Sequence, residues 1–142
     1  MVLISFLLVS LNVNGQKNLS SSKNTVTLAN GNPTSVTNEK KVYIYIALFA
    51  SPSSQNNIGR IDLLDQPWGS KVTRYYEENF KVYSAELNND GTYNYWTIDI
   101  GNDGQTVLFQ VDNNSAVPTI TVSRYSPVGN STVLKRTIYY ID

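Results

Sequence analysis

Residues 79–111 read NFKVYSAELNNDGTYNYWTIDIGNDGQTVLFQV and contain three strand-like runs separated by two short turns. Each turn consists of Asn, Asp and Gly, at residues 89–91 and again at residues 102–104. Asp-Gly sequences tolerate the positive φ angles that tight hairpin turns require. We therefore expect the three runs to form one continuous antiparallel meander.

The same pattern extends outward from this meander. Short runs rich in Val, Ile, Tyr, Phe and Thr alternate with clusters of Gly, Asn, Asp, Pro and Ser about every ten residues, which is typical of antiparallel sandwiches and barrels. No segment of helical length has apolar residues at three- and four-residue spacing. We predict an all-β fold, an antiparallel β-sandwich of seven to nine strands with immunoglobulin-like or jelly-roll topology. The predicted strands are residues 41–50, 58–64, 71–76, 79–87, 92–100, 105–111, 118–125 and 132–141.

Alternation along each run predicts which side chains form the core, because successive residues of a strand face opposite sides. The strand 41–50 is apolar on both faces and should be central in its sheet. In the strand 92–100 we expect Tyr93, Tyr95, Thr97 and Asp99 to face outward, as do Thr119, Thr121 and Ser123. The predicted core consists of Val42, Ile44, Ile46, Leu48, Trp96, Ile98, Ile100, Val107, Phe109, Val111, Ile120, Val122, Leu134, Ile138 and Tyr140.

The N-terminal 40 residues differ from the rest of the chain. Residues 2–11 read VLISFLLVSL, which is too short to span a bilayer but suits the apolar core of a signal peptide covering residues 1–15. The alternative is a retained apolar strand, within this domain or inserted into a neighbouring copy. Residues 16–40 read as a polar arm with one edge strand, since only residues 25–28 are strand-like, and residues 41–142 form the β-sandwich domain.

Composition excludes several functions. Eleven Lys and Arg balance eleven Asp and Glu, so the chain has no basic field that would attract nucleic acid. The absence of His and Cys removes the usual general base, the usual partner of a nucleophile and the commonest transition-metal ligands. We therefore expect no cofactor and no enzymatic activity, with a carboxylate-dependent glycosidase as the one hydrolytic alternative.

Acidic residues can bind calcium or, in pairs, catalyse hydrolysis. Asp90, Asp99, Asp103 and Asp112 fall near strand ends, but their spacing fits hairpin turns better than a calcium loop. Glu77 and Glu78 are neighbours in an extended run and should point to opposite faces. Glu86 and Asp99 lie on adjacent predicted strands and could approach each other.

Aromatic residues suggest a binding function more directly. Exposed rings stack on sugars or anchor protein interfaces, and the predicted ligand-binding residues are Trp68, Tyr75, Tyr93 and Tyr95. The alternative is that these rings only cover the rim of the core. Sequons that would permit glycosylation begin at Asn18, Asn113 and Asn130.

Together these features predict a secreted or surface-displayed, non-catalytic binding module with no membrane span. Its expected ligand is a glycan or, second, an extracellular protein. The alternative function is a structural subunit of a surface filament or coat, which forms homo-oligomers by donating the apolar residues 2–11 as a strand to the next copy.

Overall fold

The computed structural model describes residues 16–28, 34–52, 54–68, 77–102, 104–127 and 132–142. These residues form antiparallel β-strands and connections without a helix, so the predicted all-β class is confirmed. Within the same ranges no helix is long and apolar enough to cross a membrane. The strands are β1 Gln16–Leu28, β2 Thr34–Asn38, β3 Val42–Leu48, β4 Gly59–Leu64, β5 Glu77–Leu87, β6 Tyr93–Asp99, β7 Thr106–Asp112, β8 Thr119–Tyr125 and β9 Val133–Ile141.

The strands form one sheet that closes on itself. Strands β3 to β9 follow one another as neighbours, and β9 returns to pair with β1 from Ser21 to Leu28. The other edge of β1 is shared, because its first half pairs with β3 and its second half with β2. The strands therefore form an eight-stranded antiparallel barrel. Strands β2 and β3 pair with successive halves of β1 and together count as one of the eight. A two-sheet sandwich is not confirmed, since all nine strands belong to a single sheet.

The closing seam is reinforced at its end by the last residue of the chain. The Asp142 carboxylate accepts hydrogen bonds from the Ser20 hydroxyl at 2.9 Å and the Ser22 amide at 3.1 Å, and it pairs with the Lys41 ammonium. Hydrogen bonding from Lys41 is the main reason that the pKa of Asp142 is lowered to about 2. The contacts tie β9 to β1 and to the residue before β3.

Most predicted strands are observed within one or two residues of their expected bounds. The largest difference is β1, which begins at Gln16, whereas only residues 25–28 looked strand-like in a polar arm. Its buried inward positions include the polar residues Ser21 and Asn24, and a bulge between Ser21 and Lys23 shifts the phase, so the strand lacks a regular alternation of apolar and polar side chains. The predicted strand 71–76 and the apolar residues 2–11 lie outside the described residues.

The core fills the inside of the barrel with side chains from every strand from β3 to β9. Phe80 and Phe109 meet edge to face with ring centres 4.9 Å apart, a favourable aromatic geometry. Inward positions predicted on β3, β7 and β8 are confirmed, and β3 is buried on both faces as expected. The buried cluster comprises Val42, Ile44, Ile46, Ile61, Leu63, Phe80, Val82, Tyr95, Val107, Phe109, Val111, Ile120, Val122 and Tyr139.

The predicted faces of β6 are wrong. Tyr95, Thr97 and Asp99 are buried, whereas Ile100 is 64% exposed. Cross-strand pairing explains this reversal, since Tyr95 pairs with Phe109 and directly paired residues face the same side of a sheet. Trp96 and Ile98 consequently belong to the outer wall.

The predicted faces of β9 are also wrong. Thr137 and Tyr139 are buried inside, and Leu134 is 42% exposed on the outer wall together with the outward positions of Ile138 and Tyr140. The pairing of Tyr139 with Ile120, a core residue of β8, determines this orientation.

The glycines of both Asn-Asp-Gly turns have the expected backbone, and Asp103 lies outside the described residues. Gly91 and Gly104 have φ angles of 87° and 71°, which side chains larger than hydrogen rarely accept. Asp90 accepts hydrogen bonds from the amide and hydroxyl of Thr92, at 3.0 and 2.6 Å. The predicted meander of β5, β6 and β7 is confirmed.

Candidate functional site

The outer wall over β3, β4 and β5 presents three rows of paired residues. Each row crosses the three strands, and the middle row consists of Tyr45, Asp62 and Asn79. The neighbouring rows are Tyr43, Leu64 and Glu77 on one side, and Ala47, Arg60 and Lys81 on the other. An aromatic column on β3 therefore lies beside polar and charged columns on β4 and β5.

Trp68 lies over this part of the wall. It follows β4 directly after Pro67, and its ring stacks on Tyr45 with centres 4.2 Å apart and planes 7° from parallel. The guanidinium carbon of Arg60 lies 4.8 Å from the centre of the same ring, within the range of a cation–π interaction. Tyr45 is only 5% exposed beneath this cover, while Trp68 remains 37% exposed. The tryptophan is thus held in place and still accessible.

A hydrogen-bond network supports Arg60 from below. The carboxylate of Asp62 is fully buried and pairs with Arg60, at 3.0 Å from Nε and 2.9 Å from the terminal nitrogen. Asn79 Nδ2 donates to Asp62 Oδ1 at 2.7 Å and lies 2.9 Å from Glu77 Oε1. Because a fork held at two nitrogens has little freedom to rotate, the network determines where the guanidinium meets Trp68.

Of two surface pockets in this part of the wall, one is lined by Trp68 and the other by Arg60, which contacts Trp68. One has a volume of about 260 Å³ and is mainly aromatic and apolar, with Tyr43, Tyr45, Leu64, Pro67 and Trp68 in its lining and Asn18 at its β1 side. The other has a volume of about 360 Å³ on the Arg60 side, and its lining includes Phe49, Arg60, Asp62, Glu77, Asn79, Lys81 and Ile100. We call this combined area, from Tyr43 to Asn79 with Trp68 above it, the Trp68 surface.

Of the predicted ligand-binding residues that the structure describes, Trp68 alone lies on this surface. Tyr93 and Tyr95 face the barrel interior, with ring centres 6.4 Å apart, so their predicted outward orientation is wrong. Tyr75 lies outside the described residues. Among the sequons, Asn18 lines the apolar pocket and Asn113 is exposed between β7 and β8, whereas Asn130 lies outside the described residues.

The supporting residues Arg60, Asp62 and Asn79 were not identified from the sequence. A usable signal was present, because Arg60 and Asp62 alternate with the apolar Ile61 and Leu63 and therefore share the outward face. Their association with Trp68 depends on the connection after β4, whose path cannot be read from alternation.

A second polar group lies inside the barrel and was also missed. Arg124 contacts Glu78 at 3.0 Å and Asp99 at 3.5 Å, and its guanidinium carbon lies 5.5 Å from the ring centre of Phe80. The three charged residues are in phase with core residues of their own strands, two positions from Val122, Phe80 and Thr97. This spacing in the sequence could have indicated that the three charged side chains face the interior. The cluster holds two interior carboxylates beside one cation, which is a structural role.

The carboxylates considered for catalysis do not form a pair. Glu77 faces the outer wall and Glu78 the interior, as expected for neighbours in a strand. Glu86 accepts a hydrogen bond from Trp96 on the outer wall, whereas Asp99 lies inside, so the two residues face opposite sides of the barrel. In the part of the chain that the structure describes, no group of three acidic residues could hold a metal ion.

Two interior tyrosines make the stability of the fold sensitive to alkaline pH. Burial raises the pKa of Tyr95 to about 12 and also raises the pKa of Tyr139 to about 12, from an ordinary value of 10.0. Between pH 10 and 12 the unfolded chain therefore releases protons that the folded chain retains. Stability is fully present below pH 10 and is lost as the pH rises toward 12.

We expect the free energy of unfolding to fall by roughly 1 kcal/mol per pH unit for each of these tyrosines above pH 10. Urea unfolding between pH 9 and 11.5 measures this slope. Tyr95→Phe and Tyr139→Phe should each reduce it, because phenylalanine has no proton to lose. A slope that stays the same in both variants would contradict the assignment.

The fold places the chain in the class of small antiparallel β-barrels with a filled interior, whose outer wall bears the Trp68 surface. Its sequence matches no family model, and neither the curated proteins nor the solved structures include a significant match. Fold class alone does not define function, so a functional conclusion depends on the surface itself.

Proposed function

We propose that this protein is a secreted or surface-displayed, non-catalytic binding module that recognises a glycan through the Trp68 surface. The observation that carries the proposal is the position of Trp68, which is 37% exposed while Tyr45 and Arg60 hold its ring against the wall. A ring held in place loses little conformational entropy when a ligand binds.

The chemistry around Trp68 suits a sugar. Sugars present apolar patches of C–H groups that stack on aromatic rings, and hydroxyl groups that need donors and acceptors nearby. The apolar pocket provides the first environment, and the polar pocket with Glu77, Asn79 and Lys81 provides the second. Acidic and basic side chains both line the polar pocket, which favours an uncharged glycan over a strongly acidic one.

The proposed function is non-catalytic because Asp62, the buried carboxylate beneath the Trp68 surface, has a structural role. Asp62 is held by Arg60 and Asn79 and has no exposed surface from which to transfer a proton to a ligand. The 142-residue sequence also contains no His and no Cys. Export agrees with the uncharged polar composition and the apolar residues 2–11, which support the proposed location.

Replacing Trp68 with alanine should weaken binding of a recognised oligosaccharide by about 10-fold or more, because the stacking ring is lost. An array of neutral plant, fungal and bacterial oligosaccharides identifies the ligand, and isothermal titration calorimetry measures its affinity per site. Trp68→Phe should retain part of the affinity because it retains a ring.

Trp96→Ala is the matched control, since it removes the only other tryptophan from a different part of the wall. It should leave the affinity unchanged. The proposal is overturned if the folded protein binds no glycan on the array, or if Trp68→Ala binds as tightly as the unaltered protein.

A further inference from the structure

A second apolar area lies on the outer wall, away from the Trp68 surface. It consists of Trp96, Ile98, Leu108, Tyr125 and Leu134, which we call the β6–β9 patch. The rings of Trp96 and Tyr125 are 5.8 Å apart, and Leu108, on the strand between them, is only 6% exposed. Leu134 is 42% exposed at the β9 side. The accessible part of the patch is therefore formed by the partly exposed Trp96, Ile98 and Tyr125 and by the exposed Leu134.

The residues of this patch are as apolar as core residues, although they lie on the outer wall. Trp96, Ile98 and Leu134 are apolar enough to have been predicted as core, yet the register of the barrel turns them outward. The opposite face of β6 is already used for the interior, where Tyr95 and Thr97 are buried. Trp96, Ile98 and Tyr125 are half-buried and Leu134 is exposed, and an apolar area left partly exposed on the outer wall is a candidate interaction surface.

Charged groups of opposite sign lean over the two sides of the patch. Glu86, on β5, accepts a hydrogen bond from Trp96 Nε1 at 2.9 Å, which draws its carboxylate over β6. Arg136, on β9, donates from Nε to the Ser123 hydroxyl at 3.1 Å, which draws its guanidinium over β8. Neighbouring strands are about 4.8 Å apart, so the two charges lie roughly 10 Å apart on either side of β7.

We propose that the β6–β9 patch binds a second copy of this chain and forms a two-fold symmetric dimer whose axis runs along β7. In such an interface the contact from one residue to another occurs twice, once in each direction. A two-fold axis along β7 brings Glu86 of one copy to Arg136 of the other on both sides. Trp96 and Tyr125, residue types that are enriched at interfaces, then lie at the centre.

Charge is the reason to choose a second copy over an unrelated partner. Glu86 on one side and Arg136 on the other form one pair of opposite charges that a two-fold axis brings together twice, and a net charge of zero gives no long-range repulsion between copies. The dimer would carry two Trp68 surfaces, because those lie over β3, β4 and β5. It goes beyond the proposed glycan binding and does not depend on it.

Sedimentation velocity of the full chain over about 1 µM to 1 mM tests the proposal. We expect a dimer for the unaltered protein. Glu86→Arg alone and Arg136→Glu alone should each weaken dimerisation about 10-fold or more, because like charges then face each other twice. The double variant, E86R with R136E, should dimerise again. An equimolar mixture of the two single variants should form a heterodimer, since every facing pair is then of opposite charge.

Glu39→Arg, an exposed charge reversal in the connection between β2 and β3, is the matched control and should leave the dimer intact. Circular dichroism checks that each variant is folded, and Leu134→Glu at the exposed β9 side replaces any variant that is not. A monomer at every concentration, a dimer that resists all these substitutions, or a mixture that stays monomeric overturns the proposal. Trp68→Ala should remain dimeric, which separates this result from that of the glycan experiment.

Discussion

Replacing Arg124 with methionine is expected to lower the free energy of unfolding by about 3 kcal/mol. Arg124 lies inside the barrel, where its side chain is 12% exposed and pairs with Glu78 and Asp99. Methionine keeps much of the packing against Phe80 but leaves both carboxylates without the guanidinium. A buried charge that loses its partner is costly because the surrounding protein solvates it poorly. Urea unfolding at pH 7 measures the change.

Neutralising the acids should reverse most of this loss. Adding Glu78→Gln and Asp99→Asn to Arg124→Met removes the two carboxylate charges that the guanidinium had compensated, so we expect more than half of the stability to return. Lys23→Met, at an exposed cation on β1, is the control and should change stability by less than about 0.5 kcal/mol. A loss of stability for Arg124→Met that the two amides do not restore would show that packing, and not charge, is the main contribution of this arginine.

The second large effect compares two adjacent aromatic residues. Tyr95→Ala should lower the free energy of unfolding by about 3–5 kcal/mol, because the ring is 6% exposed in the core and its loss leaves a cavity. Trp96→Ala should cost only about 1–2 kcal/mol in the monomer, although tryptophan is larger, because its ring lies on the outer wall. Thermal and urea unfolding in dilute protein measure both values.

This pair tests the orientation of β6 directly. The alternation pattern had placed Trp96 inside and Tyr95 outside, so the opposite order of the two effects would support that arrangement and contradict the barrel register. Tyr95→Phe separates the ring from the hydroxyl and should retain most of the stability.

The strand positions and the central meander could be predicted because they depend on local properties. Asn-Asp-Gly turns need glycine at positive φ, and both glycines have it. The spacing of β-branched and aromatic residues located β3 to β9 within a residue or two wherever the structure describes them. The inward faces of β7 and β8 followed from the alternation of apolar and polar side chains, and that of β3 from aliphatic residues that alternate with Tyr43 and Tyr45.

The faces of β6 and β9 could not be read in this way, because both faces of these strands carry apolar or aromatic side chains. The missing information was the pairing with a neighbour of known orientation. Tyr95 pairs with Phe109, and Tyr139 pairs with Ile120, so each had to face inward. Combining the predicted hairpins with the core of β7 would have corrected β6.

Trp68 is the residue of the candidate site that could be predicted from the sequence. A tryptophan between Pro67 and Gly69 in a polar loop either plugs the end of the fold or is displayed, and the structure places Trp68 on the outer wall. Its support by Tyr45 and Arg60 was not predictable, since these residues come from different strands and meet Trp68 only through the path of the loop.

By itself the sequence determined that this chain is an antiparallel β protein without His or Cys, with tight turns at defined positions. Those properties depend on composition and on residues a few positions apart. Only the tertiary structure decided that the sheet closes, because closure rests on β1 pairing with β9, more than one hundred residues later in the chain. The same long-range pairing assigned each ambiguous strand its inner face, and so decided which aromatic residues became core and which became surface.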